Sequence, residues 1–324
     1  MKVFFLAVAA AGKPGMPTFQ EDDLHLLRDL GYDVRSLIWH GREYRELFRG
    51  VRSADVVLAW HIGRHSWLAS WLRRPLACIV GGYEFVYLPE LDYGSLGSFT
   101  TRAMTRRVWR KAELLYVSQA LADEAIRAFG SPGRAHVLPT GYDSSFWNPG
   151  DGPRSELVVS VCHAPTQARF RLKGVDLFLE VAARLPKVEF AVAGVMPPDF
   201  SPPASLSNVR FMGWLDREAL RDLYRDAKVY AQLSVHEGFP NAVCEAMLCG
   251  CVPVGTPGGG TPEAIDDCGF VVPRDADAVV AAIRNALRTE EERASARSWV
   301  SNRFSLDRRR DGLKDILERL AAGV

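Results

Sequence analysis

Carboxylate and imidazole side chains gather around one short segment in the second half of the chain. It reads His236-Glu237-Gly238-Phe239-Pro240-Asn241 and is followed by Glu245. Pro240 stands near the predicted start of a helix and Gly250 just past its end, so Glu245 is predicted to lie inside that helix among apolar neighbours. An ionised carboxylate in such a place needs hydrogen-bond donors or a cation. A pair of sugar hydroxyls and a buried arginine both meet that need, and the residues alone leave both interpretations open.

Two further segments could bind an anion. Gly258-Gly259-Gly260 precede Thr261 and Pro262, which are predicted to be the N-cap and first position of a helix. Free backbone N–H groups at a helix start beside glycines form a natural phosphate site, although glycine-rich turns are common. The segment Arg169–Gly174 is predicted as a loop that follows a strand and opens a helix, and it carries two guanidiniums and an ammonium. A solvated basic loop is its alternative interpretation.

All three segments follow predicted strands of the second half of the chain. Because ligands bind at the carboxyl ends of strands in open α/β sheets, we expect the three segments to converge on one site. Carboxylates for hydroxyl groups, a phosphate site and a pair of cations together describe a nucleoside diphosphate that carries a sugar.

The elements that must position these segments alternate between apolar strands and amphipathic helices. Helical periodicity is clearest over 19–30, 119–129 and 173–185. Two series of strands are predicted, at 2–9, 33–39, 56–61, 76–81, 114–117 and 135–139, then at 156–161, 188–193, 208–212, 228–233, 251–255 and 270–272. This pattern predicts an α/β fold with two tandem doubly wound, Rossmann-like domains that face each other across a cleft. The turn-rich stretch 148–153 separates the two series.

Composition and cysteine usage narrow the class of protein. The chain has 324 residues, 48% hydrophobic and 24% charged, with a net charge of +1, which excludes a disordered chain or a fibre and gives no indication of nucleic acid. No apolar run reaches the roughly 18 residues of a membrane-spanning helix. The apolar run Val3–Ala9 could pass for a signal peptide but is interpreted as a strand. The six cysteines form no C-x-x-C pair, which favours free buried thiols in a reducing cytosol over disulfides or zinc.

Several segments resemble the retaining glycosyltransferases of family 4. Glu237 to Glu245 matches their E-x7-E motif, and Lys173-Gly174-Val175-Asp176 is similar to their K-G-x-D helix start. Leu138–Asp143, followed by Phe146, resembles their interdomain signature. Phe211–Trp214 matches the strand end that borders the base.

The resemblance implies a GT-B fold with metal-independent, retaining transfer from a nucleoside-diphosphate sugar, UDP- or GDP-linked, and no other cofactor. The acceptor would be a glycan, a lipid-linked molecule or a small molecule. Residues 1–148 would form the acceptor-side domain and 149–305 the nucleotide-sugar donor domain, with the C-terminal helix 306–324 packing back on the first domain.

The resemblance also implies roles for individual residues. Glu245 would bind the ribose hydroxyls and Glu237 the donor sugar, while Lys173 and Arg169, or Arg171 in its place, would bind the diphosphate. Glu237, Arg169 and Lys173 are therefore the predicted catalytic residues, and no metal ligand is predicted. The remaining predicted donor-binding residues are Gly238, Phe239, Pro240, Asn241, Gly213, Trp214, Gly259, Gly260 and Gly12.

The first half of the chain departs from the family pattern. Gly81 stands where family members commonly carry a histidine after the fourth strand. Tyr83 or Glu84 could contact acceptor or sugar instead, and His61 could substitute, with a packed structural histidine as the alternative. Two other functions therefore stay open: a nucleotide-sugar-binding subunit without catalysis, and a nucleotide-sugar epimerase on the same fold.

A second group of residues concerns the membrane. Trp67, Leu68, Trp71 and Leu72 are predicted to share a helical face, followed by Arg73 and Arg74, and a second basic helix carries Arg102, Arg106, Arg107, Trp109, Arg110 and Lys111. Such a surface suits an anionic membrane where a lipid-linked acceptor would lie, while aromatic residues facing the core are the alternative. We expect a cytoplasmic protein, with peripheral contact to the inner membrane face as the further alternative.

Overall fold

The computed structural model describes residues 1–9, 15–198, 200–201, 203–289 and 291–323, without the side chains of 291–293. It divides into two compact units. Unit 1 comprises Met1–Pro89, Tyr93–Gly141 and Leu306–Val324, and unit 2 comprises Glu90–Asp92 and Tyr142–Ser305.

Unit 1 is built, in its described part, on a parallel sheet of six strands in the order β2-β1-β3-β4-β5-β6. The strands are β1 (Lys2–Val8), β2 (Asp33–Trp39), β3 (Val56–Trp60), β4 (Leu76–Val80), β5 (Glu113–Tyr116) and β6 (Ala135–Val137). The helices are α1 (Thr18–Asp29), α2 (Tyr44–Ser53), α3 (Arg64–Ala69), α4 (Phe99–Lys111), α5 (Gln119–Phe129) and, at the other end of the chain, α13 (Leu306–Ala322). Every residue of β3 and β4 is buried, as expected of parallel strands covered on both faces.

A buried ion pair joins α13 to the rest of unit 1. The Arg309 guanidinium donates to both carboxylate oxygens of Asp23 in α1, at 2.9 and 2.7 Å. Its third nitrogen donates to the carbonyl oxygen of Leu138, and Trp60 donates its indole N–H to Asp23 at 2.9 Å. Both charged side chains are almost fully buried, so each depends on the other to compensate its charge.

Unit 2 contains, among its described residues, a second parallel sheet of six strands in the order β12-β11-β10-β7-β8-β9. The strands are β7 (Ser155–His163), β8 (Glu189–Val195), β9 (Val209–Gly213), β10 (Ala227–Gln232), β11 (Val252–Gly255) and β12 (Phe270–Val271). The helices are α6 (Gln167–Leu172), α7 (Val175–Arg184), α8 (Arg217–Asp226), α9 (Asn241–Leu248), α10 (Thr261–Ile265), α11 (Ala276–Ala286) and α12 (Glu291–Arg303).

The predicted α/β fold class with two doubly wound sheets is confirmed, and all twelve predicted strands are present within a few residues of their expected ends. Two local expectations are wrong. The stretch expected as a basic loop forms the short helix α6, because the Thr166 hydroxyl caps it by accepting from the Arg169 N–H. Helix α3 ends at Ala69, so Trp71 and Leu72 lie beyond its face.

Within the described residues, no helix combines the length and the apolar character that crossing a membrane requires.

Candidate functional site

The carboxyl edge of the unit 2 sheet brings the three predicted segments together. Strand β10 lies between β7 and β11, and all three strands run parallel. The loop and helix after β7 contain the basic residues, the loop after β10 contains Glu237, and the loop after β11 contains the glycine run. The convergence expected from the sequence is therefore present at one edge of one sheet.

An ion pair between Lys173 and Glu237 is the centre of this edge. The Lys173 ammonium donates to both carboxylate oxygens of Glu237, at 2.7 and 2.9 Å. The Oε1 atom of Glu237 also accepts from Gln232 Nε2 at 3.0 Å and from Ser234 Oγ at 2.7 Å. Three donors therefore hold Oε1, which fixes the carboxylate and leaves Oε2 as its less occupied oxygen. The Lys173 side chain is 24% exposed and that of Glu237 12%, so a ligand from solvent can reach both.

Gln232 and Ser234 are site residues that the sequence analysis missed. Both are buried, and both lie in or just after the apolar strand β10. Polar side chains inside an apolar strand run are the signal that could have identified them, because a buried polar group needs a partner.

The end of β7 adds a buried thiol next to the ion pair. Burial raises the pKa of Cys162 to about 12, with the Glu237 charge acting in the same direction and the Lys173 charge against it. Cys162 is therefore a neutral, packed side chain, and the cations of this edge come from Lys173 and helix α6.

Helix α9 places Glu245 and the segment before it. The helix begins at Asn241, directly after Pro240, and Glu245 lies half-buried within it. The ring of Phe239 packs against Phe304 with centroids 5.0 Å apart, and Asn241 Oδ1 accepts from the Tyr142 hydroxyl at 2.7 Å. The side chain of Phe239 thus packs in the core, and the contact with a ligand predicted for Gly238 to Asn241 is one of backbone groups.

The glycine run after β11 packs closely against the loop that carries Glu237. Gly259 has a φ of +58°, and a Cβ there would collide with the carbonyl oxygen of Glu237. The N–H groups of Gly258 and Gly260 donate to the carbonyl oxygens of Thr256, at 2.8 Å, and Glu237, at 2.9 Å. These two amides are engaged within the protein, so close loop packing is one reason for the glycines, and their role with phosphate stays a prediction. Helix α10 begins at Thr261 with Gly260 as its N-cap, one residue earlier than expected.

The other predicted site residues that the structure describes differ in their exposure to solvent. Arg169 is half-buried and Arg171 exposed, both on α6. Gly213 ends β9 with a φ of +65°, and the Trp214 that follows is 59% exposed. Gly12 lies outside the described residues.

The carboxyl edge of the unit 1 sheet holds an imidazole–carboxylate pair. His61 follows β3, and its Nδ1 lies 2.9 Å from Oε1 of Glu84. Glu84 is fully buried, so it is inaccessible to a ligand, and the expectation that it could contact acceptor or sugar is wrong. Gly81 takes part through its lack of a side chain, because a Cβ there would collide with the His61 ring.

Solved structures identify the architecture of the chain. Sucrose-phosphate synthase from Thermosynechococcus elongatus matches with a TM-score of 0.79 over 100% of both chains, at 17% sequence identity. HepE from Anabaena in complex with UDP matches with a TM-score of 0.75 over 98% of this chain and 100% of that chain, at 20% identity. The two doubly wound units therefore have the GT-B architecture of glycosyltransferases.

Sequence comparisons point to the same class of protein. Residues 160–289 match the family model described as Glycosyl transferases group 1. An MMP alpha-(1→4)-mannosyltransferase of Mycolicibacterium hassiacum is 29% identical over 69% of this chain and 53% of its own length. A D-inositol 3-phosphate glycosyltransferase of Mycobacterium sp. (strain KMS) is 29% identical over 63% of this chain and 52% of its own. The chain spans about half the length of these curated relatives. The matches support a glycosyltransferase, which is the broader class implied by the family 4 resemblance.

Proposed function

We propose that this protein is a retaining glycosyltransferase that moves a sugar from a nucleoside-diphosphate sugar to a hydroxyl group of an acceptor. The observation that carries the proposal is the Lys173–Glu237 pair at the carboxyl edge of the unit 2 sheet. Both residues lie within the segment 160–289 that matches the family model. The structural neighbour HepE was solved with UDP, which supports a nucleoside-diphosphate donor.

In this proposal, unit 2 binds the donor. Lys173, with Arg169 or Arg171, binds the diphosphate, and Glu237 accepts a hydrogen bond from a hydroxyl of the sugar through Oε2. Glu245 binds the ribose hydroxyls, while Gly213 and Trp214 border the base. The backbone from Gly238 to Asn241 and the turn at Gly259 complete the donor site, and the donor is UDP- or GDP-linked.

The chemistry follows from the charges at this edge. The bond between the anomeric carbon and the phosphate oxygen breaks, and its electron pair goes to the departing diphosphate. A new bond forms from the acceptor oxygen to the same face of the sugar, which retains the anomeric configuration, and the proton of the acceptor hydroxyl passes to the departing diphosphate oxygen. Lys173 and the guanidiniums of α6 stabilise the negative charge as it develops, and the proposal requires no metal ion. One such donor is typically worth about 3 kcal/mol of barrier.

The acceptor is a glycan, a lipid-linked molecule or a small molecule, and we place the reaction in the cytoplasm.

A basic aromatic surface of unit 1 supports peripheral membrane contact. Helix α4 contains five basic and no acidic residues, Phe99 at its start is 87% exposed, and the Arg107 guanidinium lies 3.3 Å from the ring centre of the exposed Trp71. Sedimentation with vesicles of neutral lipid, alone or with anionic lipid, tests this contact, and equal binding to both would refute it.

The first test of the function measures thermal stabilisation by UDP, GDP, ADP and dTDP. A nucleotide at a hundred times its dissociation constant adds about 2.7 kcal/mol of stability, which a melting curve detects. We expect one nucleotide to stabilise the protein, and Glu245→Ala and Lys173→Met to reduce that stabilisation. Glu218→Ala, at an exposed position of α8, and Lys187→Met, at an exposed position outside this edge, are the matched controls. Silence across the panel would refute the donor site.

Turnover then separates the proposed function from its two alternatives. Release of the nucleoside diphosphate from the matching nucleotide sugar, faster when an acceptor is present, supports a transferase. Tight donor binding without any release would instead indicate a binding subunit, and an isomerised nucleotide sugar would indicate an epimerase. The anomeric configuration of the product, read by proton NMR, tests retention.

A further inference from the structure

His61 has a left-handed backbone conformation. It follows the last residue of β3 with a φ of +67°, a region that only a few per cent of non-glycine residues adopt, with asparagine, aspartate and histidine the most frequent among them. Its N–H still donates to the carbonyl oxygen of Ile79 in the neighbouring strand, at 2.8 Å. The conformation is therefore held by the sheet itself, and such held outliers are concentrated at functional sites.

The buried carboxylate of Glu84 determines how the imidazole is presented. Its Oε1 accepts from Gly81 N–H at 3.0 Å and its Oε2 from Gly82 N–H at 2.7 Å. Burial alone would raise the pKa of Glu84, but the hydrogen bond from His61 and the two backbone donors hold that pKa below its ordinary value. An ionised carboxylate 2.9 Å from Nδ1 requires the proton of a neutral imidazole to lie on Nδ1. In that neutral form the Nε2 atom of His61 carries the lone pair.

The two nitrogens of the His61 ring have different surroundings. The side chain is 17% exposed, whereas Glu84, which faces Nδ1, is fully buried. Among the described residues, Nε2 has no hydrogen-bond partner. The rings of Trp60 and Tyr83 each lie 5.6 Å from the imidazole, centre to centre, and hold its orientation.

The neighbouring ionisable groups do not compete for this role. Burial lowers the pKa of His65 to about 4, so that imidazole is neutral at ordinary pH. Cys78 uses its thiol to donate to the carbonyl oxygen of His61, and burial raises the pKa of that thiol. Glu84 is thus the charged group that faces the His61 ring, and its negative charge disfavours an anionic ligand there.

We propose that His61 binds the acceptor, its Nε2 accepting a hydrogen bond from a hydroxyl group of a sugar or polyol. A metal ion would need further ligands, and the described residues contain no group of three histidine, cysteine, aspartate or glutamate side chains able to hold one. The assignment of the hydroxyl to the acceptor rests on the proposed function. The presentation of Nε2 rests on unit 1 alone.

The variant His61→Asn isolates this role from folding. Asparagine is among the residues that tolerate a positive φ, and its amide can replace Nδ1 as the donor to Glu84. The variant therefore removes Nε2 while it keeps the internal hydrogen bond. The matched control is His136→Asn, because His136 also pairs with a glutamate of unit 1, Glu113 at 2.7 Å, where β5 begins.

The experiment uses the full chain labelled with ¹⁵N-histidine, with His61 assigned by the signal missing from His61→Asn. We expect His61 to show a protonated Nδ1, and addition of glucose, mannose or myo-inositol to shift its Nε2 signal. The rates are compared only between wild type and variants whose melting temperature is unchanged. His61→Asn should lower the acceptor-dependent rate about tenfold, because it loses one ordinary hydrogen bond to the acceptor. Its nucleotide binding should be unchanged. His136→Asn should change neither.

Three results would overturn the inference: a proton on Nε2, no Nε2 shift with any of the three probes, or an unchanged acceptor-dependent rate in His61→Asn. Failure of the proposed function gives a different result, because no nucleotide would then stabilise the protein. The probe titration at His61 still decides the inference in that case.

Discussion

Substitution of Arg309 by methionine is expected to loosen helix α13 from unit 1. Methionine keeps much of the apolar stem of arginine but removes the guanidinium. The change deletes both bonds to Asp23 and the bonds to the carbonyl oxygens of Leu138 and Pro139. It leaves the indole N–H of Trp60 as the remaining donor to the Asp23 carboxylate among the described residues. Asp23 and Arg309 are only 3% and 1% exposed, so water does not replace what is lost.

The expected magnitude follows from that burial. Removing one partner of a buried ion pair typically costs about 3–5 kcal/mol, because the other charge stays buried without compensation. The neighbouring Arg310 provides a matched control, since it pairs with Asp307 at 2.6 Å and Asp311 at 3.0 Å on the surface. Exposed pairs of this kind contribute about 0–1 kcal/mol.

Native-state hydrogen exchange of peptides from α13 and β3 measures the effect locally, without assuming that the two units unfold together. A loss of about 3 kcal/mol accelerates exchange roughly a hundredfold in Arg309→Met, whereas Arg310→Met should stay within about tenfold of wild type. Adding Asp23→Asn to Arg309→Met removes the leftover charge and should recover part of the loss. Equal exchange in the two arginine variants would refute the reasoning.

Two further predictions concern the two sheet edges. Gly259→Ala should destabilise the protein by more than about 1 kcal/mol, because its φ is +58° and its Cβ would strike the carbonyl oxygen of Glu237; thermal unfolding measures this. Glu84 has a pKa held below its ordinary value, by the donors that outweigh its burial, so it stabilises the fold above the unfolded-state pKa of about 4.3. That stabilisation is lost as the pH falls through the folded-state pKa, and the unfolding free energies of wild type and Glu84→Gln should converge there.

The predictions for Gly259 and Glu84 each have their own control. Gly152→Ala, at a glycine whose Cβ would meet nothing within 4 Å, should leave the melting temperature nearly unchanged. A Gly259→Ala variant as stable as this control would contradict the close packing of the two loops. For Glu84, the quantity compared is the difference in unfolding free energy between wild type and Glu84→Gln. The same difference at pH 6 and at pH 2 would show that the charge of Glu84 does not contribute to stability.

The strands were predictable because parallel strands covered on both faces are nearly continuous apolar runs. Segments such as Leu76–Val80 are buried along their whole length, so their own apolar residues are enough to predict a strand. The placement of Lys173, Glu237 and the glycine run was predictable for a related reason. Each follows a strand, and the carboxyl ends of neighbouring parallel strands meet at one edge.

Pairings across large sequence separations were not predictable in the same way. Asp23 and Arg309 are 286 positions apart, and nothing local to either marks it as the other's partner. Gln232 and Ser234, the partners of Glu237 beyond Lys173, are only five and three positions away, but the local pattern did not show that their side chains meet its carboxylate. The functional roles of these residues stay predictions until the nucleotide panel is measured.

The sequence by itself determined the fold class, the order of the elements and the strand ends that carry the candidate donor site. These depend on hydrophobic periodicity and turn residues, which act over a few positions along the chain. The tertiary structure alone decided that Gly81 makes room for the His61 ring, that Glu84 is buried behind it, and that Gly259 lies against the Glu237 carbonyl. Those relations depend on which backbones approach each other in space, and a one-dimensional pattern does not contain that distance.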